Sequence, residues 1–184
     1  MRDKREKVPN TIDTKPATAA DIKYAASFGL KLPESDTRSD VKAIVDTYLD
    51  SDVQASESFI TYARAMGMLC SDYIGNKALH NQLFDNLSLE DKTALFCFCV
   101  YKFHSEDSNE NLLEHPQKAV FDRFSDIFSK DGYFTASLED YLGEDSVAFG
   151  KSTKMINGVP KNIYGGSIHG RAYKEAKKFI EENL

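Results

Sequence analysis

The sequence predicts a mainly α-helical protein: a small N-terminal helix-extended-helix module, a helical bundle, and a Gly-rich hairpin before a C-terminal helix. Three observations predict it. Apolar residues recur at helical spacing along most of the 184 residues, as they do when one face of a helix joins a core. Thr18 with Asp21, Thr37 with Asp40 and Ser88 with Asp91 repeat one helix-start signal, a hydroxyl followed three residues later by a carboxylate. Six of the ten glycines fall from Gly143 onward, so turn-rich structure is expected at the end of the chain.

Residues 1–16 are polar and charge-mixed and read as a flexible tail. Residues 17–50 form the module. Thr18 opens a first helix carrying Ile22, Ala25 and Ala26, and Gly29 sits where a left-handed residue would end it. Leu30-Lys31-Leu32-Pro33 is an extended link, because Pro33 pushes Leu32 away from α geometry. Thr37 opens a second helix whose apolar face is Val41, Ile44, Val45, Tyr48 and Leu49. Residues 51–142 read as the bundle. A helix from about Ser56 to Ile74 carries Phe59, Ile60, Ala63, Met66, Cys70 and Ile74, and Gly75-Asn76 break it. A second helix starts at Lys77 and carries Leu79, Leu83, Phe84 and Leu87. Ser88 caps a third, in which Ala94 to Tyr101 is apolar on nearly every side, the mark of a central helix.

Ser105 to Asn111 is a loop, and His115-Pro116 starts a fourth helix. Val120, Phe121, Phe124, Ile127 and Phe128 face the core, Asp131-Gly132 end the helix, and a short helical piece covers Ser137 to Leu142. Residues 143–184 hold Asn157-Gly158 between apolar residues, a hairpin signal, with Pro160 limiting the strand to a sheet edge. The last helix runs from about Arg171 to Glu182 on Tyr173, Ala176, Phe179 and Ile180.

Three cysteines, an odd number within apolar runs, argue for a reducing compartment rather than a disulfide scaffold. Met1 to Lys15 lacks the apolar stretch of a signal peptide. The longest apolar run, Ala94 to Tyr101, is far short of the roughly 20 residues of a membrane span. These readings predict a cytoplasmic protein without a membrane partner. The net charge of −6 divides unevenly: Met1 to Ser146 carries 16 Lys+Arg against 26 Asp+Glu, and Val147 to Leu184 carries 7 against 3. An acidic body with a basic tail bears on partners rather than on fold.

No catalytic residue, cofactor or metal ligand emerges from the motifs. Cys97 and Cys99, two apart in a helix, point about 200° apart and cannot chelate one ion. The four histidines are scattered, and His104 and His115 lie near carboxylates only in sequence. Gly165-Gly166-Ser167-Ile168-His169-Gly170-Arg171 before a lysine-rich helix suggests an anion site, although it is neither a Walker loop nor a dinucleotide fingerprint.

Ile22 to Leu49, with Gly29-Leu30, Thr37-Arg38-Ser39-Asp40-Val41 and Ile44-Val45, resembles the SAP and helix-extended-loop-helix family of DNA-associated modules. Arg38 stands in the family's Lys place and Asp40 in its Glu place. The resemblance covers about a fifth of the chain and implies DNA contact through basic residues. This copy departs from that pattern, with five Lys+Arg against six Asp+Glu between Lys15 and Asp50. Weak DNA affinity follows, because affinity rests largely on neutralised phosphates. The whole chain looks like accessory proteins of phages and mobile elements, anti-CRISPR proteins among them. The resulting expectation is a non-enzymatic interaction protein that inhibits a host Cas9-type nuclease by blocking DNA binding. The alternative is a DNA-binding regulatory or structural protein acting through the module. Partner or nucleic-acid contact is expected at Lys23, Lys31, Arg38 and Lys42 in the module and at Arg171, Lys174 and Lys178 in the tail. The surplus aromatic residues are also compatible with a homodimer.

Overall fold

Hydroxyl–carboxylate pairs at helix starts and one helix without a wet face decide where the elements lie. The computed structural model describes residues 6–33, 36–105, 107–156 and 159–184. The chain is mainly α-helical and divides into two compact units, Met1–Asn86 and Leu87–Leu184.

In the first unit, α1 (Ala19–Ser27) and α2 (Arg38–Leu49) both start at full capping boxes, Thr18 with Asp21 and Thr37 with Asp40. Each hydroxyl accepts from the Asp N–H, and each carboxylate accepts from the Thr N–H. Two orphan donors are thereby satisfied at each start. The Ala17 N–H donates to the Asp36 carbonyl at 3.1 Å near the helix starts. The Phe28 and Tyr48 rings lie 5.8 Å apart near the helix ends. The two helices therefore run in the same direction, and the link between them brings the chain back. Ala25, Val41 and Val45 form the small core, with Ala17, Phe28, Leu30 and Leu32 packed on it. Ile22, Ala26, Tyr48 and Leu49, expected on the apolar faces, are exposed. A core of three small residues is too narrow to reach them.

Residues 6–16, expected as a tail, are stitched into this unit. Val8 donates its N–H to Asp85 at 2.9 Å and accepts from the Asn86 side chain at 3.0 Å. Asn10 bonds Gly67 and Leu69, and the Asp13 N–H bonds the Ser39 hydroxyl at 2.6 Å. These partners lie up to 78 residues away, so no local pattern announces them. Residues 1–5 of the expected tail lie outside the described residues.

The helix expected over Ser56 to Ile74 is α3 (Glu57–Ala65), only half as long. Gly67 adopts φ 82°. The Met68 N–H reaches back to the Ala63 carbonyl and the Gly67 N–H to that of Arg64, a Schellman stop. The same pair of bonds ends α1 at Gly29 and α2 at Ser51, with φ 73° and 49° respectively. Phe59, Ile60, Tyr62 and Ala63 of α3 are buried, as are Leu79, Leu83 and Phe84 of α4 (Asn76–Asn86).

The second unit is built on α5 (Leu89–His104), where every residue from Thr93 to Val100 is buried, as its apolar run predicts. It packs against α6 (Lys118–Phe128) and α8 (Arg171–Asn183), and α7 (Gly132–Leu138) packs on α8. Phe96 meets the rings of Tyr141, Phe149 and Phe134 at 4.9, 5.9 and 6.5 Å. Phe124 meets Phe134 and Phe179 at 5.4 and 5.2 Å. α6 starts three residues later than expected, because the His115 ring accepts the Gln117 N–H in the preceding turn. Ile127 is 53% exposed rather than core. The buried arc runs through Phe121, Phe124 and Ser125, and the Ser125 hydroxyl donates to the Glu90 carbonyl at 2.6 Å. The helical piece expected at Ser137 to Leu142 lies earlier, as α7, because Asp131 caps the Tyr133 and Phe134 N–H groups.

Strands β1 (Lys151–Ile156) and β2 (Val159–Tyr164) pair antiparallel, with Ile156 opposite Val159. Asn157 and Gly158, the expected turn, lie outside the described residues. Pro160 sits in a two-stranded sheet, where both strands are edges.

Two outcomes follow. A Cβ at Gly29 would meet nothing within 4 Å, so Gly29→Ala should cost only the left-handed conformation, about 1 kcal/mol, and Ser51→Gly should recover about as much. Urea denaturation of the two variants reads both signs. Phe96 is fully buried, so Phe96→Ala should lose about 3–5 kcal/mol by the same measurement.

Candidate functional site

The seven expected contact residues divide between the two units. Lys23, Lys31, Arg38 and Lys42 lie in the first, and Arg171, Lys174 and Lys178 follow one another along α8 in the second; all seven are exposed. Four are already paired. Arg38 lies 3.9 Å from Asp13 and 3.7 Å from Asp21. Lys42 pairs with Asp46 one turn on. Arg171 meets Asp131 at 3.4 Å and Glu175 at 3.8 Å, and its guanidinium lies over the Tyr133 ring at 5.2 Å. Lys178 meets Glu182 at 3.9 Å. Among the described residues, no carboxylate pairs with Lys23, Lys31 or Lys174. Exposed ion pairs add little stability, but each lowers the positive charge offered to a phosphate.

The Gly-rich turn before α8 has a packing role. Gly165 donates its N–H to the Gly150 carbonyl at 3.0 Å, and Gly166 donates to the carbonyls of Asp145 and Ala148. A Cβ at Gly165 would collide with the Ala148 carbonyl, and one at Gly170 with the Tyr141 hydroxyl. At the head of α8, the Ala172 N–H is taken by the Ser137 hydroxyl at 3.0 Å. The N–H groups of Gly165, Gly166 and Ala172 are therefore already engaged within the fold.

The histidines near carboxylates are structural. His115 is buried against Phe98, Tyr101 and Phe121. Its Nδ1 accepts the Gln117 N–H at 3.0 Å, so Nε2 carries the proton and donates to Asp107 at 2.8 Å. Neither ring nitrogen is left for proton transfer to a substrate. Asp107 also accepts from the Tyr101 hydroxyl at 3.1 Å. The Asn109 N–H, followed by His115, holds its carboxyl below the usual carboxylate range. His104 bonds the Tyr173 hydroxyl at 2.8 Å, and burial, followed by Lys177, lowers its pKa. Cys97 and Cys99 are buried free thiols. Burial pushes Cys99 up to about 12 and Cys97 well above its ordinary value, so neither forms the reactive thiolate near neutral pH.

The sequence reading missed an exposed aromatic edge on the module. Tyr24 and Tyr48 are 55% and 53% exposed, and both touch Phe28, at 5.1 and 5.8 Å. Helical periodicity assigns Tyr48 to the core face; the signal that could have placed it outside is the shortness of α1, which leaves the last turn of α2 uncovered.

Asp107→Ala should cost about 1–3 kcal/mol at pH 7, since it strands the buried His115 N–H. The carboxyl is depressed on folding from 3.8, so its contribution is present above that value and lost as pH falls. The gap between thermal melts of wild type and variant should therefore narrow as pH falls below 3.8. No family model, curated protein or solved structure matches the chain.

Proposed function

We propose that the protein acts by binding rather than by catalysis, and that it keeps a Cas9-type nuclease from its DNA. The observation that carries this reading is the charge distribution: an acidic body of 16 Lys+Arg against 26 Asp+Glu, joined to a basic tail of 7 against 3. Nucleases of this type hold nucleic acid in positively charged channels, and an acidic body competes for such a channel. Carboxylate pairing of Arg38 and Lys42 further lowers the module's attraction to DNA. The engagement of both His115 nitrogens fits a protein without a general base.

A second reading, direct DNA binding through the module, draws on Lys23 and Lys31, which have no carboxylate partner among the described residues, and on the exposed Tyr24 and Tyr48. A gel-shift titration of labelled duplex, with and without guide-loaded Cas9, separates the two. The inhibitor reading expects free DNA to remain unshifted at physiological salt while the Cas9 shift disappears. An undisturbed Cas9 shift sinks it. The module reading expects a duplex shift that weakens steeply with salt and is lost in a Lys23→Glu, Lys31→Glu variant.

A further inference from the structure

Tyr133, the second residue of α7, is the most exposed large apolar side chain among the described residues, at 75%. One ring in water is ordinary on a protein surface. This ring is held in a constellation. Asp131 accepts the Tyr133 and Phe134 N–H groups on one carboxylate oxygen, at 2.8 and 3.0 Å. Its other oxygen accepts from the Arg171 guanidinium at 3.4 Å. That guanidinium lies over the Tyr133 ring, 5.2 Å from its centroid, and Glu175 also meets it at 3.8 Å. One carboxylate therefore fixes both the backbone that carries the ring and the cation that covers one of its faces. The opposite face is open to water.

Two uncommitted cations border this constellation. Lys130 immediately precedes Asp131, and Lys174 lies one turn beyond Arg171 on α8; both are exposed. Neither has a carboxylate partner among the described residues. The charge on α8 does not serve the helix itself. Arg171 and Lys174 fall in its first four residues and Glu181 and Glu182 in its last turn, against the helix macrodipole. Its pairs of Arg171 with Glu175, Lys177 with Glu181 and Lys178 with Glu182 run cation first, the weaker order along a helix. The backbone at the head of α8 is not the attraction, since the Ala172 N–H is bonded to Ser137.

An aromatic ring with one open face stacks a nucleobase, and any base serves because every base has a π-face. Lys130 and Lys174 come from different elements, which meet where Asp131 bonds Arg171. In a single strand each base lies between two phosphates, a pattern that two separate lysines match better than they match the one charged end of a free nucleotide. In a duplex the bases stack on one another, and a ring reaches them only after unstacking.

We propose that Tyr133, backed by Arg171, is a stacking platform for single-stranded nucleic acid, with Lys130 and Lys174 neutralising phosphates on either side of the stacked base. The platform lies in the second unit and requires neither the nuclease nor the N-terminal module, so its success or failure is separate from theirs. The acidic surface elsewhere repels nucleic acid, so binding is weak and confined to low salt.

Fluorescence anisotropy of a labelled oligothymidine of about 12 nucleotides tests the platform, within the range of single-strand site sizes, at salt concentrations from about 25 mM upward. The wild type should bind at the lowest salt, with log affinity falling against log salt at a slope near −1.4, for about two phosphate contacts. Tyr133→Ala should weaken binding at least about fivefold, the effect of one base on one ring, and Tyr133→Phe should keep it. Lys174→Gln should flatten the slope by about 0.7. An abasic strand of the same length should bind the wild type as weakly as oligothymidine binds Tyr133→Ala, and Tyr133→Ala should bind the abasic strand no more weakly still. Circular dichroism melts of the variants should stay close to the wild type, because all three substitutions are on the surface. Absence of wild-type binding at the lowest salt, equal binding by Tyr133→Ala, or equal affinity for the abasic strand or a duplex overturns the platform. If the wild type abolishes the Cas9 shift without binding oligothymidine, the platform fails and the inhibitor reading stands. If it binds oligothymidine through Tyr133 but leaves the Cas9 shift intact, the inhibitor reading fails and the platform stands. If it ignores oligothymidine but is retained on immobilised polyglutamate, and Lys174→Gln is not, the cations serve an acidic protein and the platform is overturned.

Discussion

A helix buried on every side dictates the second unit. Eight consecutive residues of α5, Thr93 to Val100, are out of water, so cover is needed around the whole circumference. α6 and α8 supply part of it. Tyr141 and Phe149 supply more, closing on Phe96 at 4.9 and 5.9 Å. The Gly-rich segment is tied to that closure. The Tyr141 hydroxyl donates to the Ser167 carbonyl at 2.5 Å, and Gly165, Gly166 and Gly170 let backbone pass where side chains would collide with Ala148 or Tyr141. A segment that looks like a flexible phosphate loop in sequence is, at its two ends, part of the cover over α5.

The N-terminal module of the first unit meets the opposite condition. Among the described residues, the module's buried core is Ala25, Val41 and Val45, which releases far less hydrophobic free energy than the aromatic core of the second unit. Chain ends and turns take a larger share. Two capping boxes fix the starts of α1 and α2, three Schellman turns fix the ends of α1 to α3, and residues 6–16 stitch α4 to the loop after α3 and to the start of α2. The left-handed Ser51 belongs to this logic. Its turn positions Asp52, whose carboxylate accepts the Val53 and Lys77 N–H groups at 2.8 Å each, bonding the turn after α2 to the head of α4.

What was legible in the sequence was local. Thr18, Thr37 and Ser88 marked helix starts because the capping partner is three residues away, and the apolar run of α5 showed a central helix because burial on all sides needs no knowledge of the neighbours. What was not legible depended on distant partners. Gly67 could be read as a stop only once Met68 was seen to be buried and bonded to Ala63. Ile127 and Tyr48 share the periodicity of core residues, and their exposure reflects how far the opposing surface extends. The seven contact residues were chosen for charge alone. Sequence could not show that Asp13 and Asp21 close on Arg38, since Asp13 lies in the strap that only the folded unit brings alongside.

Engagement of groups separates the chemistry this fold uses for itself from what it offers to a partner. Several titratable groups are engaged within the fold: His115 with Asp107 and Gln117, His104 with Tyr173, and Cys97 and Cys99 by burial that keeps them protonated. Four of the seven expected cations are consumed by neighbouring carboxylates. The chain is acidic overall, yet its hairpin lies in a stretch without a single carboxylate. Uniform mixing of charge would serve solubility equally well, so solubility alone does not account for the segregation. A field divided in sign orients a molecule against a partner that is itself divided in sign, and the nuclease proposed above, with nucleic acid in a cationic channel, is a partner of that kind.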